Sequence, residues 1–103
     1  MLNNFFFIQG YDMIGNKGYC EHVSGELPYL CYRDGVSSQS CEDHCTSGTS
    51  CIAYYYHKYG GCYLIPSKKS CPSGFIYGLG PIAASINELK AHSHPDYVCY
   101  GKV

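Results

Sequence analysis

Val36-Ser37-Ser38-Gln39-Ser40-Cys41-Glu42-Asp43-His44-Cys45, then Cys51-Ile52-Ala53-Tyr54-Tyr55-Tyr56-His57, then Gly61-Cys62-Tyr63-Leu64-Ile65, reads as a capped helix running at once into a β-hairpin. Ser37 suits the N-cap, where its hydroxyl can accept from an orphan backbone N–H. Val36 and Cys41 then occupy the two positions of a hydrophobic staple. Cys41 and Cys45, four apart, share one helix face. Gly48 is expected to stop the helix. A helix of about ten residues is too short to persist alone, so its cysteine face must be fastened to something. Cys51–His57 is dense in β-formers, Lys58-Tyr59-Gly60-Gly61 offers a turn, and Cys62–Ile65 reads as the returning strand, closed by Pro66.

Outward from this centre the signals are weaker. Upstream lie Phe5-Phe6-Phe7-Ile8, a turn-like Ile14-Gly15-Asn16-Lys17-Gly18, and two short apolar-aromatic stretches over 20–35 broken by Gly25 and Pro28. Asp34-Gly35 reads as a turn. Downstream, 67–74 is a polar loop and Phe75-Ile76-Tyr77 a short strand. Ser85-Ile86-Asn87-Glu88 has the pattern of a capping box, which predicts a second short helix over 85–91. Tyr97-Val98-Cys99-Tyr100-Gly101-Lys102-Val103 reads as a final strand. No internal repeat or low-complexity linker divides the chain. The expectation is a single domain over 1–103, with its core in 18–103 and 1–17 as an N-terminal strand or extension.

Eight cysteines in 103 residues, an even number with no C-x-x-C knuckle, read as four disulfides rather than a zinc site. With few large aliphatic residues, the core needs such cross-links. Bridges of this kind form in an oxidising compartment, so the chain is expected to be extracellular, secreted or at a cell surface. Phe5–Ile8 is too short for a signal-peptide core, so a leader is expected to have been removed or the segment cut from a longer precursor. Seven Lys+Arg against eight Asp+Glu, with Arg33 the single arginine, provide no basic field for nucleic acid. Four apolar residues at Phe5–Ile8 are far from the roughly twenty that a membrane-spanning helix requires.

Ser37, Cys41, Cys45 and Cys51-Ile52-Ala53-Tyr54-Tyr55-Tyr56, with Gly61-Cys62-Tyr63-Leu64 after them, together resemble a PAN/apple domain. In that family a capped helix carries two cysteines one turn apart, a third cysteine precedes an aromatic strand, and a fourth leads the return strand as C-[YF]-L. Gly18-Tyr19-Cys20 and Tyr97-Val98-Cys99-Tyr100 are similar to the flanks of apple-like repeats in secreted or cell-surface proteins of algae and other protists. The resemblance implies an α+β, small disulfide-rich fold in which a curved antiparallel sheet cradles one α-helix. It implies the pairs Cys45–Cys51, Cys41–Cys62 and Cys20–Cys99. Cys31 and Cys71 fall outside its six-cysteine pattern and are expected to bridge each other.

No catalytic constellation stands out, and no cofactor or metal is called for. If all eight cysteines are paired, no thiolate is present to act as a nucleophile. His44 neighbours Cys45 but points to a different helix face, and reads as a solvated histidine. His92-Ser93-His94 could place two imidazoles on one side of an extended strand, yet lacks a third ligand and reads as a polar loop. Glu42-Asp43 reads as exposed helix surface. Gly78-Leu79-Gly80 lacks the Lys-Ser/Thr of a phosphate loop.

Twelve tyrosines are the main surface signal. Alternation sends Tyr54 and Tyr56 to one side of their strand and Tyr55 to the other, so one set can pack under the helix while the other lies on an open face. A tyrosine ring with its hydroxyl suits sugar rings or protein partners, and Tyr55, His57, Lys58 and Tyr59 around the hairpin are the candidate ligand-binding residues. Phe5, Phe6 and Phe7 cannot all face one side of a strand, which makes them candidates for self-association by strand addition at a sheet edge. The expected function is a non-catalytic extracellular adhesion module, lectin-like, binding protein or carbohydrate. The alternative is a structural repeating subunit of an extracellular filament or matrix, a homo-oligomer joined through its N-terminal strand and tyrosine-rich faces.

Overall fold

The computed structural model describes residues 10–103. Among these residues there are eight strands and one α-helix: β1 (Tyr11–Met13), β2 (Gly18–His22), β3 (Leu30–Arg33), α1 (Ser38–Ser47), β4 (Cys51–His57), β5 (Gly61–Pro66), β6 (Ile76–Gly78), β7 (Leu89–Ser93) and β8 (Cys99–Lys102). Six strands form one antiparallel sheet in the order β1-β8-β4-β5-β3-β6, and β2 pairs with β7 in a second, two-stranded sheet. The architecture is α+β: a single helix on a disulfide-linked antiparallel sheet. None of the helices among the described residues is long and apolar enough to cross a membrane.

The helix begins where its cap is. Ser37 is extended, and its Oγ accepts from the Ser40 N–H at 3.1 Å. Val36 and Cys41, the staple pair, are both buried in one cluster. At the other end Gly48 keeps a negative φ of −84°, and its N–H donates to the His44 carbonyl. A Cβ there would lie 3.1 Å from that carbonyl, so close approach rather than a left-handed backbone favours glycine. The last carbonyls find an unexpected donor: Lys102 Nζ reaches Cys45 O at 2.7 Å and Gly48 O at 3.3 Å. A cation at a helix C-terminus answers both the orphan acceptors and the helix dipole. Burial lowers the pKa of Lys102 from its ordinary value.

Four disulfides close the structure: Cys20–Cys99, Cys31–Cys71, Cys41–Cys62 and Cys45–Cys51. Two of them bind α1 to the hairpin, Cys41 to β5 and Cys45 to the start of β4. On that face the core consists of Val36, Tyr54, Leu64 and cysteine sulfur. The opposite face buries Ala53, Tyr55, Ile65 and Leu30 in a second cluster with Leu89 and Ala83, and Cys20–Cys99 joins the two sheets there. The hairpin turns through Lys58–Gly60, with Gly60 at φ +106°, a conformation that a side chain resists.

The second helix expected over 85–91 does not form. A single 3₁₀ turn spans Ile86–Glu88, and Leu89–Ser93 is strand β7, paired with β2 from Gly18↔Ser93 to His22↔Leu89. The capping box is not made: the Ser85 side chain caps nothing, and Glu88 Oε1 accepts at 2.6 Å from the N–H of Ala84, one residue before the cap. A one-turn helix has little stability of its own, whereas the strand buries Leu89 and completes a five-pair ladder. Tyr11–Met13, within the expected N-terminal extension, pairs with β8 as an edge strand of the main sheet.

Candidate functional site

A cleft of about 650 Å³ opens between the first turns of α1 and the loop that leads into β8. Its aromatic lining is Tyr11 from β1, Tyr54 and Tyr56 from β4, Tyr100 from β8 and Tyr97 from the loop. The alternation of β4 turns Tyr54 and Tyr56 towards α1, and the Tyr54↔Tyr100 register brings Tyr100 alongside. Tyr54 and Tyr100 stack at 5.4 Å, and Tyr11 meets Tyr54 edge-on at 5.1 Å.

The hydroxyls are anchored. Tyr54 Oη donates to Glu42 Oε1 at 2.9 Å, Tyr56 Oη to the Val36 carbonyl at 2.6 Å, and Tyr11 Oη shares a 3.0 Å hydrogen bond with Thr46 Oγ1. Burial, reinforced by the Glu42 carboxylate, pushes the Tyr54 pKa far above the ordinary phenol value. Burial also raises that of Tyr11. With their pKa raised, Tyr11 and Tyr54 are neutral at physiological pH and can donate and accept hydrogen bonds. Lys17, Lys58, Gln39, Glu42 and Asp96 complete the polar lining, and Lys58 Nζ lies 3.3 Å from Asp96 Oδ1 across the mouth. Glu42, read as exposed helix surface, is half-buried and bonded to Tyr54; its neighbour Asp43 remains exposed and accepts from Gln39.

The hairpin candidates do not form one site. Lys58 belongs to the cleft. Tyr59 projects into solvent, 80% exposed, with Lys58 Nζ 5.2 Å from its ring centroid. His57 packs against the Tyr97 and Tyr59 rings. Tyr55 is not on an open face: it is 4% exposed, stacked on Tyr63 at 4.4 Å and met edge-on by Tyr97. The second sheet closes that end of the face, which sequence patterning could not reveal. Burial pushes the Tyr55 pKa up strongly and that of Tyr63 to about 12. Phe5, Phe6 and Phe7 lie outside the described residues.

His44, expected to be solvated, is half-buried and edge-on to Phe75 at 5.0 Å. His92 is in strand β7 rather than a loop; its ring stacks on Tyr19, and Nδ1 is 3.2 Å from Glu21 Oε2. Glu21, 7% exposed, also faces Lys90 at 3.6 Å, a cross-strand charge cluster that the sequence reading did not single out. No group of three or more His, Cys, Asp or Glu that could hold a metal occurs among the described residues.

Sequence reasoning also passed over Tyr11, Gln39, Asp96 and Tyr100 as site residues. One signal for Tyr100 was available. If Cys99 points to the face that its partner Cys20 covers, its neighbour must point to the other face, under the helix. The chain matches no protein-family model, no curated protein and no solved structure.

Proposed function

We propose that this chain is a PAN/apple-like extracellular module that binds its ligand without transforming it, through the tyrosine-lined cleft beside α1. One observation carries the reading: five tyrosines, two lysines and two carboxylates converge on one concave surface of about 650 Å³. Aromatic faces with a few fixed polar groups are what a sugar ring or a polar peptide segment requires. The volume falls within the range of small-ligand sites, which favours a short glycan over a flat protein epitope. Four disulfides support an oxidising, extracellular setting. The neutral hydroxyls and the absence of a free thiol among the described residues support recognition rather than catalysis.

A glycan array followed by amide chemical-shift titration tests this. Binding should move the amides of Gln39, Lys58, Asp96 and Tyr100 together, and Lys58→Ala with Gln39→Ala should weaken it about tenfold or more, the loss of one or two polar contacts. A hit whose shifts avoid the cleft would overturn the assignment. So would failure to bind any glycan and any extracellular protein offered.

A further inference from the structure

The opposite side of the molecule carries a different surface. Tyr55, Tyr63, Tyr32 and Ile76 are register neighbours across β4, β5, β3 and β6, so their side chains form one row on the face away from α1. Tyr55 and Tyr63 stack nearly parallel, and Tyr32 follows at 4.8 Å. Its three tyrosines floor a groove of about 280 Å³, rimmed by Leu27, Ile76, Tyr77 and Leu79. The rim is bare: Leu27 is 52% exposed, Ile76 66%, Tyr77 64% and Leu79 85%. Three of these residues lie on or beside β6, an outer edge of the six-stranded sheet.

Edge strands are ordinarily guarded by charge, by proline or by a covering segment. Here the sequence from Pro72 to Ala84 contains no charged residue. We infer that a second copy of this chain covers this groove and its rim, packing face to face about a two-fold axis. Leu79 and Ile76 of each copy then enter the groove floored by Tyr32 and Tyr63 of the other. The patch is self-complementary, because the projecting Leu79 and the groove that receives it belong to the same surface, as an isologous contact requires. The groove lining itself carries no charge, and the charges that border it, Arg33 beside Gly74 and Asp34 beside Tyr32, are of opposite sign. Taking roughly 200 Å² for a fully exposed large side chain, near the middle of the aromatic range, the four bare residues offer about 500 Å² per copy. Burying all of it on both copies removes about 1,000 Å², the lower bound for a specific interface and fitting for a weak, reversible dimer. This inference is independent of the cleft, which lies on the α1 face.

Sedimentation of the 103-residue chain between about 1 µM and about 1 mM reads the equilibrium directly, a span that brackets weak protein association. The expected result is a concentration-dependent dimer whose amides around the groove gain hydrogen-exchange protection as concentration rises. Leu79→Glu, at a site too exposed to disturb folding, should weaken dimerisation roughly a hundredfold, since the symmetry places the charge at two positions. Val23→Glu, exposed outside the patch, should leave it unchanged. A chain that stays monomeric throughout, or a dimer indifferent to Leu79→Glu, would overturn the inference. So would a dimer that survives Leu79→Glu but is abolished by removing residues 1–9.

Discussion

Removing Cys20–Cys99 should destabilise the protein more than removing Cys45–Cys51, and the difference follows from how the bridges nest. Cys20 and Cys99 are 79 residues apart, but in the denatured chain Cys31–Cys71 short-circuits that span. The loop actually closed runs eleven residues from Cys20 to Cys31 and twenty-eight from Cys71 to Cys99, about 39 in all. Cys45–Cys51 closes a loop of 6. The chain-entropy relation gives roughly 4 kcal/mol for the first and roughly 2 kcal/mol for the second at room temperature. Both pairs are buried, so the loss of sulfur packing is similar and largely cancels in the comparison. Cys20→Ala/Cys99→Ala should therefore lie nearly 2 kcal/mol below Cys45→Ala/Cys51→Ala in guanidinium unfolding under non-reducing conditions. In thermal unfolding that corresponds to a midpoint lower by about 10 °C. Equal midpoints, or a greater loss from the short loop, would show that these bridges act through native-state packing rather than through the unfolded chain.

Two further expectations concern groups that the fold buries. Burial raises the pKa of Tyr55 above its unfolded value near 10, so its contribution is fully present below about pH 10 and lost as the pH rises beyond it. Tyr55→Phe should keep the ring stack yet reduce the alkaline loss of stability by about 1.4 kcal/mol per pH unit; guanidinium unfolding at successive pH values measures this, and an unchanged slope would exclude Tyr55 as the titrating group. Lys102→Met keeps the apolar stem but leaves the carbonyls of Cys45 and Gly48 without their charged donor. A loss of about 2 kcal/mol is expected, with faster amide exchange confined to the last turn of α1, and a silent substitution would show that solvent serves those carbonyls equally well.

Much of the centre of this protein was legible because its signals are local. The Ser37 cap, the staple of Val36 and Cys41, the strand alternation through Tyr54–Tyr56 and the glycine turn at Gly60 act within a few residues of one another, and each is realised. The pattern at Ser85–Glu88 was also local, and there it misled: one turn of helix competes poorly with a strand ladder whose partner, β2, is some seventy residues away.

The residues around the cleft show where local reading stops. Tyr11, Gln39, Tyr54, Asp96 and Tyr100 come from five separate segments, drawn together by the β1–β8–β4 register and by the bridges that fasten α1 to the hairpin. Tyr55 was visible as the odd residue of its strand, but whether its face is open or covered depends on the second sheet. The β6 edge was visible as a short apolar strand; its place at the rim of the sheet was not. From sequence alone this chain determines its cross-linked character, its single capped helix and the parity of each strand, because caps, periodicity and cysteine number are properties of short stretches. Tertiary structure alone decides which tyrosines are wet, which are walled in and which surfaces stay bare. Those outcomes are set by the order in which distant strands pair, and no single stretch of the chain encodes that order.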